Sequence, residues 1–171
     1  METGRVPRAW TIAKPQPDES PAVARVIAAA FGRPDEARLV ERLRAEGAVL
    51  TELVARAEPG IVGHVMFSRL ETEPATLSLA GLAPLAVTPG WQRAGIGAAL
   101  VHAGLAACRA LGVEAVAVLG DPAYYGRFGF AAGLAKPLQA PYSGPAFQAL
   151  ELRDRALAAG PWRVRYPGAF A

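Results

Sequence analysis

The sequence predicts a single α/β (α+β) domain, and three features carry that prediction. Residues 48–57 and 61–69 are two strand-like stretches joined by Glu58-Pro59-Gly60, the pattern of a β-hairpin. Residues 113–119 form a nearly continuous apolar run, as expected of a strand covered on both faces. Between them, residues 85–100 read LAVTPGWQRAGIGAAL: a short apolar strand, a Pro-Gly break, a glycine turn and an apolar segment of helical period from Ile96. A chain of 171 residues suits one domain with a real core, and no repeat, low-complexity tract or linker divides it.

Each element has a local reason. Residues 10–13 read as a first short strand, broken by Pro15-Gln16-Pro17-Asp18. Ser20 is a good N-cap with Pro21 at the first helical position, and the helix runs to Phe31, where Gly32 stops it. A second helix starts near Pro34-Asp35-Glu36, carries Arg42 and Arg44 near its end and closes at Gly47; acids first and bases last suit the helix dipole. After the hairpin, residues 82–87 form another strand. Pro84 within it has no N–H for the ladder and so fits an edge or a bulge. Residues 95–111 are helical, with Ile96, Leu100, Ala103, Ala107 and Leu111 expected on the inner face and His102 and Arg109 opposite. Following the 113–119 strand, Asp121 caps a short helix over 122–128. Residues 147–152 and 162–166 are the expected final strands, and the Pro/Gly-rich stretch 136–145 is a connector or a loop over a cleft.

Composition excludes several classes. Apolar residues make up 52% and charged ones 19%, a globular balance. A net charge of +3 with dispersed arginines favours an anionic ligand but not nucleic acid, which needs clustered bases. Cys108 is the single cysteine, so neither an internal disulfide nor a cysteine-rich metal site is possible, and no His/Asp/Glu spacing suggests a metal. The start METGRVPRAW has no apolar signal core, and no span approaches the ~20 residues of a membrane helix. A soluble cytoplasmic protein is expected, one domain over 1–171 with residues 1–8 as a flexible terminus.

The strand–turn–helix junction is where chemistry enters. It presents unpaired N–H groups at the positive end of a helix, and Gly95 and Gly97 let an anion approach the backbone. A dinucleotide fingerprint would want a small residue where Leu100 stands, and a Walker A loop would want a lysine that is absent. Gln92-x-x-Gly95-x-Gly97 instead resembles the pyrophosphate loop of the GNAT acetyltransferases, Q/R-x-x-G-x-G/A. Residues 118–130, VLGDPAYYGRFGF, strengthen the resemblance, because Tyr125, Gly129 and Phe130 match that fold's Y-x-x-x-G-F. The longer string, with LAPLAVTPGWQRAGIG, ELRDRAL and VRYPGAF, is similar to one bacterial branch of the superfamily, over roughly residues 10–171.

This resemblance implies a mixed, mainly antiparallel sheet of about six to seven strands flanked by about four helices. It implies an N-acetyltransferase moving an acetyl group from acetyl-CoA to a primary amine by direct attack in a ternary complex. The backbone N–H groups of Arg93, Ala94, Gly95, Ile96, Gly97 and Ala98 would bind pyrophosphate, with Gln92 fixing the loop or reaching a phosphate. Leu85, Ala86 and Val87 would line the pantetheine arm as an added strand does. A backbone N–H near Val87 would hold the oxyanion. Tyr125 would protonate the leaving thiolate, and Tyr124 would pack against cofactor or core or exchange roles with it.

Many GNAT members place a base on the fourth strand, yet residues 82–87 contain no acid. Glu52, Glu71 and Glu73 remain by elimination, and His64 is either an inward polar group or a base. Two classes therefore stay open: an acetyltransferase, or a non-catalytic acyl-CoA binder on the same fold. The acceptor, a small molecule or a protein amino group, and the choice between monomer and homodimer are not written in these residues.

Overall fold

The computed structural model describes residues 8–171. The expected flexible segment mostly lies outside the described residues, but Arg8 is anchored: its guanidinium donates to the Gly90 carbonyl at 2.8 Å and lies 4.5 Å from the Trp91 ring centroid.

The chain runs β1 (Thr11–Ala13), α1 (Ser20–Phe31), α2 (Asp35–Ala45), β2 (Val49–Ala57), β3 (Gly60–Glu73), β4 (Leu79–Val87), α3 (Ile96–Ala110), β5 (Ala115–Leu119), α4 (Pro122–Tyr125), β6 (Leu138–Gln139), β7 (Phe147–Glu151) and β8 (Trp162–Arg165). The sheet order is β1-β2-β3-β4-β5-β7, antiparallel except for β4–β5; β8 joins the far end of β3, and β6 pairs with β8 in parallel. The sheet is thus mixed and mainly antiparallel. Its eighth strand is two-residue β6, too short to show any period inside the Pro/Gly-rich stretch. β3 runs four residues beyond the expected hairpin arm, since Glu71, Thr72 and Glu73 pair with β8 rather than β2.

The period-two alternation of the strands divides the core. From β2 and β3, Leu53, Ala55, Val65 and Phe67 pack against Leu100 and Leu105 of α3. On the other face Val54, Met66 and Ala86 pack against Val23 and Ile27 of α1 and Val40 and Leu43 of α2. The inner face of α3 differs from expectation. Leu111 is 59% exposed, just past the last helical turn, and the buried stripe is Ile96, Leu100, Val101, Gly104, Leu105 and Cys108. Gly104 counts as inward because of what it lacks: a β-carbon there would stand 2.1 Å from Cε2 of Phe67.

Two irregularities shape the centre of the sheet. The β3–β4 register slips between Val65↔Leu85 and Phe67↔Leu82, so Ala83 and Pro84 bulge from β4. Pro84 therefore marks a bulge in a central strand and not an edge. Beyond the bulge β4 leaves β5: their parallel pairing ends at Leu82↔Val118.

Candidate active site

The helix-start cradle forms as the sequence suggests. Gly95 caps α3 with φ of 84° and makes no side-chain cap hydrogen bond. The first intrahelical bond runs from Ala99 N–H to the Gly95 carbonyl, 3.0 Å. The N–H groups of Gly95, Ile96, Gly97 and Ala98 are therefore left without helical partners. Arg93 adopts φ of 62°, a left-handed conformation that turns the loop into the helix. Gln92 Nε2 donates to the Val87 carbonyl at 3.0 Å, so this side chain ties the loop to the end of β4.

The cradle opens into a cavity of about 730 Å³ lined by Leu85, Val87, Gln92, Arg93, Gly95, Ile96, Gly97, Ala98 and Tyr124. A β-carbon on Gly97 would stand 2.6 Å from the Tyr124 hydroxyl, so glycine keeps this gap open. Trp91, Asp121, Ala123 and Arg127 also line the cavity. Of these, Asp121 caps α4, accepting from Ala123 N–H at 2.9 Å. Arg127 lies 4.5 Å from the Tyr124 ring centroid. Trp91 immediately precedes the loop motif, and nothing in its spacing marks it as a wall.

The edge of β4 completes the cavity. Thr88 N–H donates to the Val62 carbonyl of β3 at 2.9 Å. Peptide groups alternate sides along a strand, so those of Val87 and Leu85 point away from β3, toward the gap that β5 has vacated. Gln92 takes the Val87 carbonyl, which leaves the Val87 N–H free for another acceptor.

Three expected residues stand apart from the cavity lining. Ala86 is buried toward α1 and α2, and Ala94 is exposed on the turn. Tyr125 sits behind Tyr124, its ring against Gly120 at the end of β5 and 5.8 Å from that of Phe130. Burial, helped by nearby Tyr124, pushes the Tyr125 phenol up to about 12. Burial also raises the Tyr124 phenol.

The candidate bases divide by position. Glu71 and Glu73 are exposed and face Arg165 and Arg163 at 3.4 and 3.3 Å, eight or more residues along β3 from Gly63. At ~3.3 Å per residue this is over 25 Å from the end of β4. His64 is fully buried opposite Ala86, its Nε2 2.9 Å from Glu52 Oε1 and its Nδ1 without a protein partner. Arg44 of α2 grips the same Glu52 carboxylate and reaches Ser20 Oγ at 3.3 Å. Burial alone would raise Glu52, but hydrogen bonds from His64 and Arg44 outweigh it and hold the carboxyl below its ordinary value. His64 is driven down by burial, against the opposing pull of Glu52.

A second cavity of about 380 Å³ lies at the same β4–β5 parting, between Arg33 and Glu36 at the start of α2 and Tyr142, Tyr166 and Phe170. Tyr142 comes from the Pro/Gly-rich stretch. Among the described residues no group of three or more His, Cys, Asp or Glu is placed to hold a metal ion, and no helix is long and apolar enough to cross a membrane.

Comparison with known proteins bears on the family and the fold. The model of the acetyltransferase (GNAT) domain matches residues 50–132. The uncharacterized N-acetyltransferase YhbS of Escherichia coli is 36% identical over 144 residues, 82% of this chain and 86% of that protein. A second uncharacterized N-acetyltransferase of E. coli, YjhQ, is 39% identical over 105 residues, 59% of this chain and 58% of that protein. The crystal structure of YhbS in complex with CoA superposes with a TM-score of 0.88 at 34% identity, covering 99% of this chain and 96% of that one. A GNAT family acetyltransferase from Brucella melitensis, in complex with acetyl-CoA, gives a TM-score of 0.80 at 31% identity, covering 96% and 99%.

Proposed function

The chain belongs to the GNAT acetyltransferase superfamily, and on that premise we propose that it transfers an acetyl group from acetyl-CoA to a primary amine by direct attack in a ternary complex. The observation that carries this reading is one cavity holding both the free N–H groups of Gly95, Ile96, Gly97 and Ala98 and the unpaired edge of β4 at Leu85 and Val87. The first set suits a pyrophosphate. The second suits an amide-bearing arm that adds as a strand. CoA in the YhbS crystal structure and acetyl-CoA in the Brucella protein support the same ligand here.

Bound acetyl-CoA supplies a thioester: the amine nitrogen bonds to its carbonyl carbon, the carbon–sulfur bond breaks, and the electron pair leaves on sulfur. The Val87 N–H faces the gap where the carbonyl oxygen gains charge, a contribution of ~3 kcal/mol by analogy with other oxyanion donors. Tyr125 supplies a proton to the sulfur. With the phenol at about 12 and a thiol near ~8.5, full transfer is uphill by ~5 kcal/mol. A hydrogen bond to the departing sulfur, with the proton passing late, is the less costly form. Since β4 carries no acid, the amine sheds its proton to water in the second cavity. That missing acid is also the one observation favouring a non-catalytic acyl-CoA binder.

Calorimetric titration with acetyl-CoA tests the reading, with NADH and ATP as controls. Saturable binding of acetyl-CoA alone is expected, and Gly97→Leu should abolish it by filling the gap under Tyr124. Preference for NADH or ATP, or unchanged binding by Gly97→Leu, would overturn it.

A further inference from the structure

We infer that the acceptor is a small arylalkylamine-like molecule, a primary amine on a neutral, flat apolar body, held by the second cavity through Tyr142, Tyr166 and Phe170. The inference rests on the acetyltransferase reading above and adds the class of amine. Position comes first. The cavity borders Gly81, Leu82 and Ala83 of β4 and Ala117, Val118 and Leu119 of β5, where the two strands part. An amine entering from here meets the gap faced by the Val87 N–H. A volume of about 380 Å³ is near the lower end for small-molecule sites, so a compact acceptor fits.

Charge decides next. Among the described residues, the ionised side chains lining the cavity are Arg33 and Glu36. Arg33 Nε stands 2.9 and 3.1 Å from the two Glu36 oxygens, and a second guanidinium nitrogen closes the fork. The pair cancels within itself. Among the described residues of the lining, no free carboxylate remains for the second ammonium of a polyamine, and no free cation for an acceptor's carboxylate or phosphate.

What remains is aromatic. Tyr142 and Tyr166 meet edge to face with centroids 5.1 Å apart at 89°, and Tyr166 meets Phe170 at 5.2 Å and 74°. Leu119, 50% exposed, adds an apolar rim. A flat ring joins such a set through the same edge-to-face geometry. The reacting amine must extend to the gap, so the rings hold the rest of the molecule.

The test uses the full chain with acetyl-CoA and three acceptors: 2-phenylethylamine, spermidine and a lysine-containing peptide. Phenylethylamine should give the highest kcat/KM. Phe170→Leu and Tyr142→Ala should each raise its KM about five- to tenfold, the size of one lost aromatic pair. Their kcat and acetyl-CoA affinity should stay near wild type. Preference for spermidine or the peptide, an unchanged KM in both variants, or no turnover of any acceptor while acetyl-CoA binds normally would each overturn the acceptor assignment and leave the donor site standing. Absence of acetyl-CoA binding by the wild-type chain would overturn both.

Discussion

Tyr124 and Tyr125 adjoin in sequence but occupy different surroundings. Tyr124 hangs its hydroxyl over Gly97, under the Arg127 guanidinium, in the cavity that suits the donor. Tyr125 lies against Gly120, where β5 ends and the gap begins. On the proposed reading, Tyr124 serves binding and Tyr125 proton delivery. Tyr125→Phe should lower kcat by about 10²-fold or more, the usual contribution of a positioned acid, and leave acetyl-CoA affinity unchanged by calorimetry. With this phenol at about 12, the wild-type rate should show no alkaline loss from Tyr125 up to about pH 10. Tyr124→Phe should instead weaken acetyl-CoA binding with little effect on kcat. At this scale the sequence was readable wherever spacing carries meaning. Gln92, Gly95, Gly97 and Tyr125 stand in motifs, whereas Trp91 became a cavity wall through a turn whose direction no local pattern records. The Val87 N–H came only through the family resemblance, for a simpler reason: a backbone donor has no letter of its own.

Elements were legible at their ends and less so in their faces. Gly32 closes α1 in the left-handed conformation, and acids and bases bracket α2 as expected. The inner stripe of α3 was misplaced because Gly104 contributes an absence that admits Phe67, and composition counts only side chains that exist. The extra length of β3 was hidden because its last residues look solvated and pair only with β8, some 90 positions later. His64 belongs to this scale too. With Glu52 and Arg44 it ties β2, β3 and α2 together beneath α1, and its Nε2–H donates to the carboxylate. Burial holds His64 below its unfolded value of 6.5, so in that range the unfolded chain binds more protons and stability falls as pH drops. The shifted carboxyls, Glu19, Glu36, Glu52 and Glu114, are all lowered from 4.5, and so act below this window. Urea midpoints should therefore decline between about pH 7 and 5 in the wild type, and His64→Gln should flatten that decline. An equal decline in the variant would remove His64 as its source.

At the scale of the whole molecule, the sheet works by failing to pair. Continuous β4–β5 pairing would bury the Leu85 and Val87 peptide groups in the ladder and close both cavities; the bulge at Ala83–Pro84 and the end of pairing at Leu82↔Val118 keep them available. The family resemblance implied this architecture, and the 136–145 stretch already read as a connector or a loop over a cleft; what no pattern gave is which of its residues meets Arg33, Glu36 and Phe170 in the cavity proposed for the acceptor. Segments so distant in sequence meet only through the fold. An opening at the centre of a sheet leaves backbone groups unsatisfied, so a ligand that completes the ladder should stabilise the entire domain. At 100-fold excess over Kd the linkage is ~2.7 kcal/mol. For a domain of this size that corresponds to a rise in Tm of about 5–10 °C. Acetyl-CoA and CoA should both produce it, since on the proposed reading cradle and strand edge would contact parts they share, whereas NADH should not. Gly97→Leu must push the Tyr124 hydroxyl, 2.6 Å from where the new β-carbon would stand, into the cavity, so it should lower the unliganded Tm only slightly yet lose the ligand-induced rise. A variant that melts early without ligand would show that Gly97 serves packing instead, and an equal rise with NADH would show that the cradle reads any pyrophosphate and that the β4 edge adds no selection.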